Sequence, residues 1–346
     1  MKLIIFFFLF EVAICLKAVG QNVQASNEHS ILFYNTENLF DLGNDSLTND
    51  DEFTRTGDRH WTRSKLLTKV DRISKVILAS GKWNAPILIG LCEIEGLDVL
   101  EELCRSEALK RFHYKIIQKD SPDIRGIDVA LVYRPEYFSP YDFKAIPVID
   151  VSDKNFRTRD ILQVSGVLAG KDTIHLFVNH WPSRFGGLME SKKHRLLAAK
   201  ILKDAINNIQ KGDSNARIIC MGDFNDTPSD ESLSLELLAQ QPSEIKEPCN
   251  GRLVNLSFNW TKDEIQTIKN KYRWEIFDQF IVSDFTLTIG QAYSYINAEI
   301  VKNNFLLEPD LVYGGMYPKR TYIGYKYLGG FSDHLPVVLR INLFEN

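Results

Sequence analysis

The residues best suited to chemistry lie in the segment Arg217–Pro228, where a short apolar run ends at Gly222 and is followed by Asp223, Asn225 and Asp226. An apolar run of strand length that ends in glycine and turn formers is typical of a buried strand, and α/β sheets carry their chemistry at such strand ends. Asp223 and Asn225 are two positions apart, so on an extended backbone they face the same side. A carboxylate can accept a proton or hold a hard cation, and an amide can donate to a phosphoryl oxygen without adding negative charge. The pair therefore suits a phosphate ester, with an Asx-rich turn as the alternative.

Four other segments repeat this arrangement of an apolar run followed by polar residues: Ile31–Asn38, Pro86–Glu95, Phe177–Pro182 and Phe331–Pro336. Together the five segments resemble the endonuclease/exonuclease/phosphatase superfamily of metal-dependent phosphoesterases, in the family's order from about Ile31 to about Ile341. The resemblance implies an α/β fold, namely a four-layer α/β sandwich in which two packed mixed β-sheets are flanked by helices.

Glu93 is the strongest candidate for a metal ligand. An ionised carboxylate that follows an apolar strand is costly to bury unless a cation or hydrogen-bond donors compensate it. A role at a helix N-terminus is the alternative. The resemblance implies that Glu93 binds the essential divalent ion, Mg²⁺ or Mn²⁺, with help from Asn35, and both side chains offer the hard oxygen atoms that these ions prefer.

The triplet Ser332, Asp333 and His334 precedes the last predicted strand. By itself such a triplet is weak evidence, because these residues also cap turns. The resemblance implies that His334 acts on the attacking water or on the phosphoryl group, and that Asp278 orients it by accepting its ring N–H. Asp333 is predicted either to join the metal ligands or to assist His334. A solvent-facing strand position is the alternative for Asp278.

His180 ends the predicted strand before Trp181 and Pro182. A lone histidine is more often structural, but the resemblance implies that His180 hydrogen-bonds the scissile phosphate or protonates the leaving group. DNA-repair members of the family commonly carry tyrosine there, whereas secreted nucleases, sphingomyelinases and several phosphatases carry histidine. His180 therefore points away from abasic-site repair, and Asp128 is a weakly supported partner for it.

Two basic segments are predicted to contact substrate. The first contains Arg184 and Lys192–Arg195, and the second, Tyr317–Tyr325, contains Lys319 and Arg320 among tyrosines. Local cations with stacking rings suit a polyanion or unpaired bases. The same residues would suit a phospholipid headgroup, and a solvated helix start with a packed tyrosine-rich loop is the structural alternative.

The composition sets limits on function. The chain has 346 residues, 44% of them hydrophobic, and a net charge of −4. It is long enough to bury a large core, and its mild acidity gives no sign of nucleic-acid binding driven by overall charge. Any recognition of a phosphate backbone must therefore be local. Without a repeat or a change of composition, residues 27–346 are expected to form a single domain.

The N-terminal segment predicts export. Lys2 precedes the apolar stretch Leu3–Phe10, and Ala18 to Gly20 form a small-x-small cleavage pattern, so residues 1–20 are expected to be a signal peptide. An uncleaved anchor or lipidation at Cys15 fits less well. Four cysteines follow this segment, Cys92, Cys104, Cys220 and Cys249. Two disulfides are permitted, but buried thiols are favoured because Cys92 and Cys220 lie in apolar runs.

Periodicity predicts the principal elements that position these residues. Helices are expected at 62–80, 97–103, 190–210 and 231–238, and strands at 30–34, 86–92, 114–118, 129–133, 161–168, 173–178, 217–222, 274–282 and 337–341.

These observations favour an exported, divalent-metal-dependent phosphodiesterase, periplasmic or secreted, that acts as a monomer. The leading hypothesis is a nuclease that hydrolyses DNA or RNA by in-line attack of water. The alternatives are a sphingomyelinase-like or sugar- or inositol-phosphate phosphoesterase, and a polyanion-binding module without turnover. No transmembrane span is expected in the mature chain.

Overall fold

The computed structural model describes residues 27–244 and 251–344, so the predicted signal peptide and Cys249 lie outside the described residues. The helices are α1 (Arg63–Ser80), α2 (Gly96–Cys104) and α3 (Leu188–Gly212). In chain order the strands are β1 (Glu28–Leu39), β2 (Leu88–Ile94), β3 (Lys115–Gln118), β4 (Asp128–Tyr133), β5 (Phe138–Ile146), β6 (Ile161–Leu168), β7 (Asp172–His180), β8 (Arg217–Asp223), β9 (Leu253–Asn255), β10 (Ile268–Asn270), β11 (Arg273–Glu275), β12 (Asp278–Ser283), β13 (Tyr293–Ile300), β14 (Leu307–Pro309), β15 (Met316–Pro318), β16 (Tyr322–Ile323), β17 (Lys326–Tyr327) and β18 (Val337–Leu343).

Twelve of these strands form two six-stranded sheets. The first sheet has the spatial order β13-β18-β1-β2-β4-β3, and the second has the order β5-β6-β7-β8-β12-β9. Each is mixed, because β1 runs parallel to β2 and β7 runs parallel to β8 while the other neighbours are antiparallel. The short strands β10–β11, β14–β15 and β16–β17 pair outside the two sheets.

The two sheets pack face to face through their central strands. At Gly90 of β2 they approach so closely that an added Cβ would lie 2.9 Å from the sulfur of Met221 on β8. The outer face of the second sheet is covered by α3, whose Ala198 and Leu202 belong to one apolar cluster with Phe177. On the other side α1 packs against β1 of the first sheet. The order of the layers, which is helix, sheet, sheet and helix, confirms the predicted four-layer sandwich.

The strand registers bring distant polar residues to one end of the sandwich. In the second sheet His180 pairs with Asp223 across β7 and β8, and Asp223 pairs with Asp278 across β8 and β12. In the first sheet Asn35 of β1 lies beside Cys92, one residue before Glu93. Because the sheets pack against each other, these two rows of polar side chains meet.

The predicted strand 274–282 is wrong as a single element, since the chain forms β11 and β12 with a break at Ile276 and Phe277. The side chain of Thr267 accepts hydrogen bonds from the backbone N–H groups of Phe277 and Asp278, which holds the break. The predicted helix 231–238 shortens to a π-helical turn at Ser232–Glu236. Strands β5 and β13 were not predicted, because several of their side chains are exposed and blur the apolar pattern.

The cysteines agree with the interpretation as thiols where the structure describes them. Cys92 and Cys220 are buried, Cys104 is partly buried, and all three are free. Across residues 27–244 and 251–344, no helix is long and apolar enough to cross a membrane.

Candidate active site

Three residues that lie far apart in the sequence come together at the shared end of the two sheets. The Nε2 atom of His180 is 3.8 Å from Glu93 Oε1 and 3.8 Å from Asp223 Oδ2. On the other side of Asp223, the same Oδ2 lies 3.7 Å from Nε2 of His334. Glu93, Asp223 and His334, which the sequence suggested separately as metal-binding or catalytic residues, therefore converge in the structure.

His334 is held by Asp278 at the inner end of the site. Its Nδ1 is 2.7 Å from Asp278 Oδ2, and the Asp278 side chain is fully buried. Burial alone would lower the pKa of His334, but the carboxylates of Asp278 and Asp223 outweigh it and raise the pKa well above the ordinary value. In the metal-free protein His334 therefore carries a positive charge at neutral pH.

His180 has the opposite charge preference. It is buried, and burial together with Arg159, Arg125 and His334 holds its pKa well below the ordinary value, so the imidazole is neutral. Its Nδ1 makes no hydrogen bond with any described residue. Asp128, the partner suggested by the sequence, instead accepts hydrogen bonds from Ser121 and Gln118. That pairing was therefore wrong.

The low pKa of His180 predicts a pH dependence of stability in the presence of a chelator. Below about pH 6.5 the unfolded chain binds a proton on His180 that the folded chain does not bind, so the free energy of unfolding falls as the pH decreases. His334 affects stability in a different pH range. Its raised pKa stabilises the fold at and below pH 6.5, and this contribution to the free energy of unfolding is lost as the pH rises through the pKa of His334 in the folded protein. Replacing His180 with glutamine should reduce the acid-side loss by about 1 kcal/mol per pH unit.

Urea unfolding of the parent and the His180→Gln variant between pH 7 and pH 5 measures this difference. The matched control is His113→Gln, whose side chain is in solvent in the folded chain. An equally steep loss of stability in the His180→Gln variant and the parent would show that His180 is not kept neutral by the fold.

Asn35 links the two sheets across the site. Its Nδ2 donates to Asp223 Oδ2 at 3.0 Å, and its Oδ1 accepts the backbone N–H of Glu37 at 2.9 Å. The side chain of Glu93 is held by the backbone after β1, since its Oε2 accepts the N–H of Asn38 at 3.0 Å. An amide oxygen has two lone pairs, so Oδ1 of Asn35 keeps one acceptor position. Asn35 thus lies beside Asp223 Oδ2, and Glu93 lies beside His180, which is 3.8 Å from the same Asp223 oxygen.

The backbone at the site adopts an unusual conformation. Glu37, Asn38, Glu93 and Asn225 all have positive φ, between 51° and 61°. For non-glycine residues this left-handed conformation costs roughly 1–2 kcal/mol each. At Glu93 the register of β2 against β4 shifts, which turns the Glu93 side chain toward His180.

Asn225 does not share an extended strand with Asp223, as the sequence spacing had suggested. Strand β8 ends at Asp223, and the left-handed backbone of Asn225 turns its amide so that Nδ2 donates to the carbonyl of Trp181 at 3.0 Å. Its own N–H donates to Asp223 Oδ1 at 3.0 Å. The predicted alignment was wrong, and Asn225 lies beside Asp223 by way of a turn.

The basic residues predicted to bind substrate are engaged with carboxylates to different degrees. Arg184 contacts Asp226, Asp230 and Glu275 and donates to the carbonyl of Asn225. Arg320 donates to Asp333 at 2.8 Å and lies 3.4 Å from Glu37. Lys319 is partly exposed, and no ion pair joins its side chain to a described residue. Arg184 therefore supports the Asp223–Asn225 turn, while Arg320 anchors Asp333.

Asp333 is consequently a poorer metal candidate than Asn35 or Glu93. Its carboxylate is paired with Arg320 at 2.8 Å, whereas among the described residues no cation is paired with the carboxylate of Glu93 except across the 3.8 Å to neutral His180. One group of possible metal ligands is found among the described residues, and it consists of Asp223, Asp278 and His334, with ligand atoms within 4.8 Å of one another. The 2.7 Å contact of His334 with Asp278 is a hydrogen bond that already uses Nδ1, so the pair orients the histidine.

The donor atoms at this site fit a hard divalent cation. Carboxylates of Glu93 and Asp223 flank His180, which is neutral and offers no compensating charge. Asn35 adds an amide oxygen between the two sheets. Oxygen ligands of this kind are those that Mg²⁺ and Mn²⁺ select.

Sequence reasoning missed the buried cations that brace the site. Arg159 donates to Asp123 and to the Trp181 carbonyl, the same carbonyl that accepts from Asn225. Arg195, which the sequence suggested as part of a basic substrate-binding segment, is instead fully buried with Nε 2.7 Å from Asp226 Oδ1. The only sequence feature that pointed to the Arg195–Asp226 ion pair was the position of Asp226 next to Asn225.

The Asp226–Arg195 pair predicts a large loss of stability. Replacing Asp226 with asparagine keeps an acceptor for Ser232 but leaves Arg195 as an uncompensated buried charge, so the free energy of unfolding should fall by about 3 kcal/mol. Asp230→Asn is the matched control, because Asp230 pairs with Arg184 but its side chain is 39% exposed. It should cost less than about 1 kcal/mol. Equal losses for the two variants in urea unfolding would contradict the role of Arg195.

Comparison with known proteins gives a consistent result. Residues 30–343 match the model of the Endonuclease/Exonuclease/phosphatase family. No curated protein matches the chain.

Three solved structures illustrate the similarity of fold. An endonuclease/exonuclease/phosphatase family protein from Bacteroides thetaiotaomicron is 15% identical with a TM-score of 0.56, over 92% of this chain and 98% of that chain. D. rerio TDP2 complexed with a single-strand DNA product is 13% identical with a TM-score of 0.52, over 91% and 99%. A mannosyl-6-phosphatase from Bacteroides thetaiotaomicron is 17% identical with a TM-score of 0.53, over 92% and 100%.

Proposed function

Because the chain belongs to the Endonuclease/Exonuclease/phosphatase family and is a phosphoric ester hydrolase, we propose that it is an exported nuclease that hydrolyses phosphodiester bonds of DNA or RNA. Export is supported by Lys2, the apolar stretch after it and the small residues before Gln21. The nuclease assignment is supported by TDP2, whose similar fold binds single-strand DNA product.

One cavity beside the site carries the nuclease proposal. It has a volume of about 580 Å³ and is bounded by Arg320 and Asp333 on one side and by the hairpin β10–β11 on the other. At the tip of this hairpin Lys271, Tyr272 and Arg273 are exposed, and neither cation makes an ion pair with a described residue. The Tyr272 side chain is 80% exposed. Unpaired cations around an exposed ring favour a backbone phosphate with a neighbouring base.

The residues at the strand ends have complementary tasks in hydrolysis. Burial raises the pKa of Asp223, which suits this carboxylate to accept a proton from the attacking water. His334, kept positively charged by Asp278, donates a hydrogen bond from Nε2 toward a phosphoryl oxygen. Neutral His180 can donate from Nε2 on the side of Glu93. Water thus attacks phosphorus from the Asp223 side while the two histidines hold the phosphoryl group.

Glu93 and Asn35 are the residues that would hold the divalent ion, with Mg²⁺ or Mn²⁺ as the proposed metal. When bound there, such an ion supplies positive charge to the phosphoryl oxygens and the leaving group. The family's dependence on divalent metals supports a cation at this site, and the positions of Glu93 beside His180 and of Asn35 beside Asp223 support these two residues as its ligands.

A substrate panel tests the proposal. The purified protein is assayed with plasmid DNA, RNA, bis-para-nitrophenyl phosphate, sphingomyelin vesicles and sugar and inositol phosphomonoesters, with Mg²⁺ or Mn²⁺ and then with chelator. We expect nucleic-acid hydrolysis that the chelator abolishes. Preference for a monoester, or activity that survives chelation, would rule out this function.

Two substitutions in the hairpin β10–β11 test the binding of a polyanion more directly. Lys271→Gln combined with Arg273→Gln should raise KM for plasmid DNA while leaving turnover of bis-para-nitrophenyl phosphate unchanged, because the small substrate does not extend to the hairpin tip. Log KM for DNA should also respond less steeply to salt. Equal effects on both substrates would locate the loss in the fold or the catalytic site and not in polyanion binding.

A phospholipid phosphodiesterase is the second candidate, because apolar side chains are exposed beside the same cavity. Phe185, Leu188 and Met189 are 94%, 51% and 71% exposed, and Leu188 lines the cavity wall. Exposed apolar groups next to cations suit a lipid surface. Faster turnover of sphingomyelin vesicles than of nucleic acid, lost in a Phe185→Ser and Met189→Ser double variant, would favour this function.

A further inference from the structure

A buried lysine lies beneath the segment that carries His334. Lys69 belongs to α1 and is only 1% exposed, although lysine is almost never fully buried unless it is paired. Its Nζ makes no ion pair with a carboxylate of a described residue, and burial lowers the pKa of Lys69 to about 8. A methionine of similar length would avoid the cost of burying this charge. The fold alone therefore gives no reason for a lysine at this position.

The ammonium group of Lys69 holds both ends of one loop. Its Nζ donates to the hydroxyl of Thr321 and to the carbonyl of Phe331 at 2.7 Å. These two acceptors delimit the loop 321–331, which contains the short strands β16 and β17 and leads toward β18. The loop is also closed at its base by the backbone, since the N–H of Leu328 donates to the carbonyl of Thr321 at 2.8 Å. Lys69 thus joins the base of the loop to α1.

One of the two hydrogen bonds leads to His334. The carbonyl of Phe331 lies in the same planar peptide unit as the nitrogen of Ser332. The Ser332 hydroxyl donates to the carbonyl of Asn35 at 2.8 Å and accepts the backbone N–H of His334 at 3.0 Å. Lys69 therefore fixes the peptide from which the turn Ser332–His334 starts, and the direction of this turn decides where the imidazole of His334 lies.

The other hydrogen bond leads to Arg320. The backbone N–H of Thr321 donates to Glu37 Oε2 at 2.5 Å, so Thr321 is held between the ammonium group of Lys69 and the carboxylate of Glu37. Arg320 precedes it, lines the cavity beside the site, and donates to Asp333 at 2.8 Å. The position of Thr321 thus also sets the guanidinium group that anchors Asp333, the neighbour of His334.

We propose that Lys69 is a positioning residue for phosphoester hydrolysis, and that its ammonium group keeps the turn Ser332–His334 in the arrangement that turnover requires. Lys69 does not itself contact substrate, because its side chain is buried. This inference rests on the hydrolase activity and on the role proposed above for His334. It is independent of whether the substrate is a nucleic acid, a phospholipid or a sugar phosphate.

The experiment replaces Lys69 with methionine in the full chain and measures kcat with the panel substrate that the parent hydrolyses fastest. We expect kcat to fall by about ten- to a hundredfold, because a small displacement of His334 misaligns it with the phosphoryl group. The midpoint of urea unfolding in chelator should stay at the parent value or rise, since an unpaired buried charge is removed. Lys75→Met is the matched control, because Lys75 lies on the same helix but is exposed.

A double variant separates positioning from a general effect on the fold. If Lys69 acts through His334, then adding Lys69→Met to His334→Gln should change kcat by less than about twofold, because the group that Lys69 positions is already lost. Thr321→Val removes one of the two acceptors and leaves Lys69 in place. It replaces Lys69→Met in both comparisons if that variant does not fold, which circular dichroism will show, and it should lower kcat by about threefold or more.

Three results would overturn the proposal. The first is a folded Lys69→Met protein with a kcat within threefold of the parent. The second is a double variant in which the two losses multiply, which would show that Lys69 acts on another part of the site. The third is a lower urea midpoint with an unchanged kcat per folded molecule, which would assign Lys69 a structural role. None of these results bears on the nuclease proposal, which the substrate panel tests on the parent protein.

Discussion

Replacing His334 with glutamine is expected to lower kcat/KM for bis-para-nitrophenyl phosphate by about a thousandfold, or about 4 kcal/mol of transition-state stabilisation. The imidazole is buried between Asp278 and Asp223, and its positive charge is the only one described within 4 Å of Asp223. Glutamine can donate a hydrogen bond from a similar position but cannot carry that charge. The loss should therefore appear in kcat, where charge develops on the phosphoryl oxygens.

The His334→Gln experiment needs a readout that separates chemistry from folding. His113→Gln serves as the matched control, since this histidine is exposed whereas His334 is buried. Asp278→Asn tests the orienting bond, and its effect should not add to that of His334→Gln because both changes disable the same pair. Activity of a folded His334→Gln protein within threefold of the parent would remove His334 from the mechanism.

Replacing Glu93 with glutamine is the second change with a large expected effect. Activity with Mg²⁺ should fall by about a thousandfold at a concentration that saturates the parent, because an anionic ligand that positions the ion is lost. The shape of the site should survive, since glutamine keeps an acceptor oxygen for the N–H of Asn38. Titration of activity with Mg²⁺ should show a requirement raised by about a hundredfold.

The stability of the Glu93→Gln variant, measured in the presence of a chelator, tests the role of Glu93 independently of activity. Without a cation, Glu93 and Asp223 repel each other across neutral His180, so Glu93→Gln should be as stable as the parent or more stable by up to about 1 kcal/mol. Glu107→Gln is the control, since that carboxylate is 89% exposed. Parent-like activity with a parent-like Mg²⁺ requirement would show that Glu93 is not a ligand.

The sequence was informative where chemistry follows an apolar strand. Asn35, Glu93 and Asp223 each follow an apolar run, and parallel neighbours in a sheet deliver such ends to one edge, whereas His334 precedes β18, whose start reaches the same edge because β18 is antiparallel to β1. That pattern identified the polar strand ends, and the resemblance to the family implied the two packed sheets that bring them together. Identifying the strand ends needed only local patterns, because a strand covered on both faces excludes polar residues until it leaves the core.

The parts that sequence reasoning missed depend on partners that are distant along the chain. Arg195 lies in a run of basic residues and looked like substrate-binding surface, yet it turns into the core to meet Asp226, thirty-one positions away. No local pattern distinguishes a buried arginine from an exposed one. The prediction for Asn225 was wrong for another reason. Its left-handed backbone interrupts the strand alternation from which we had inferred that Asn225 and Asp223 face the same side.

The left-handed residues near the cleavage site constrain how this protein can evolve toward heat resistance. Glycine adopts that backbone without penalty, but at Glu37, Glu93 and Asn225 it would delete side-chain hydrogen bonds to Thr321 and Tyr322, to Asn38 and to Trp181, so among these four positions selection for a higher melting temperature alone would favour glycine only at Asn38. One of these four, Glu93, also carries the carboxylate to which we assign a role in turnover. Substitutions that raise the melting temperature of this protein are therefore expected at positions away from the site.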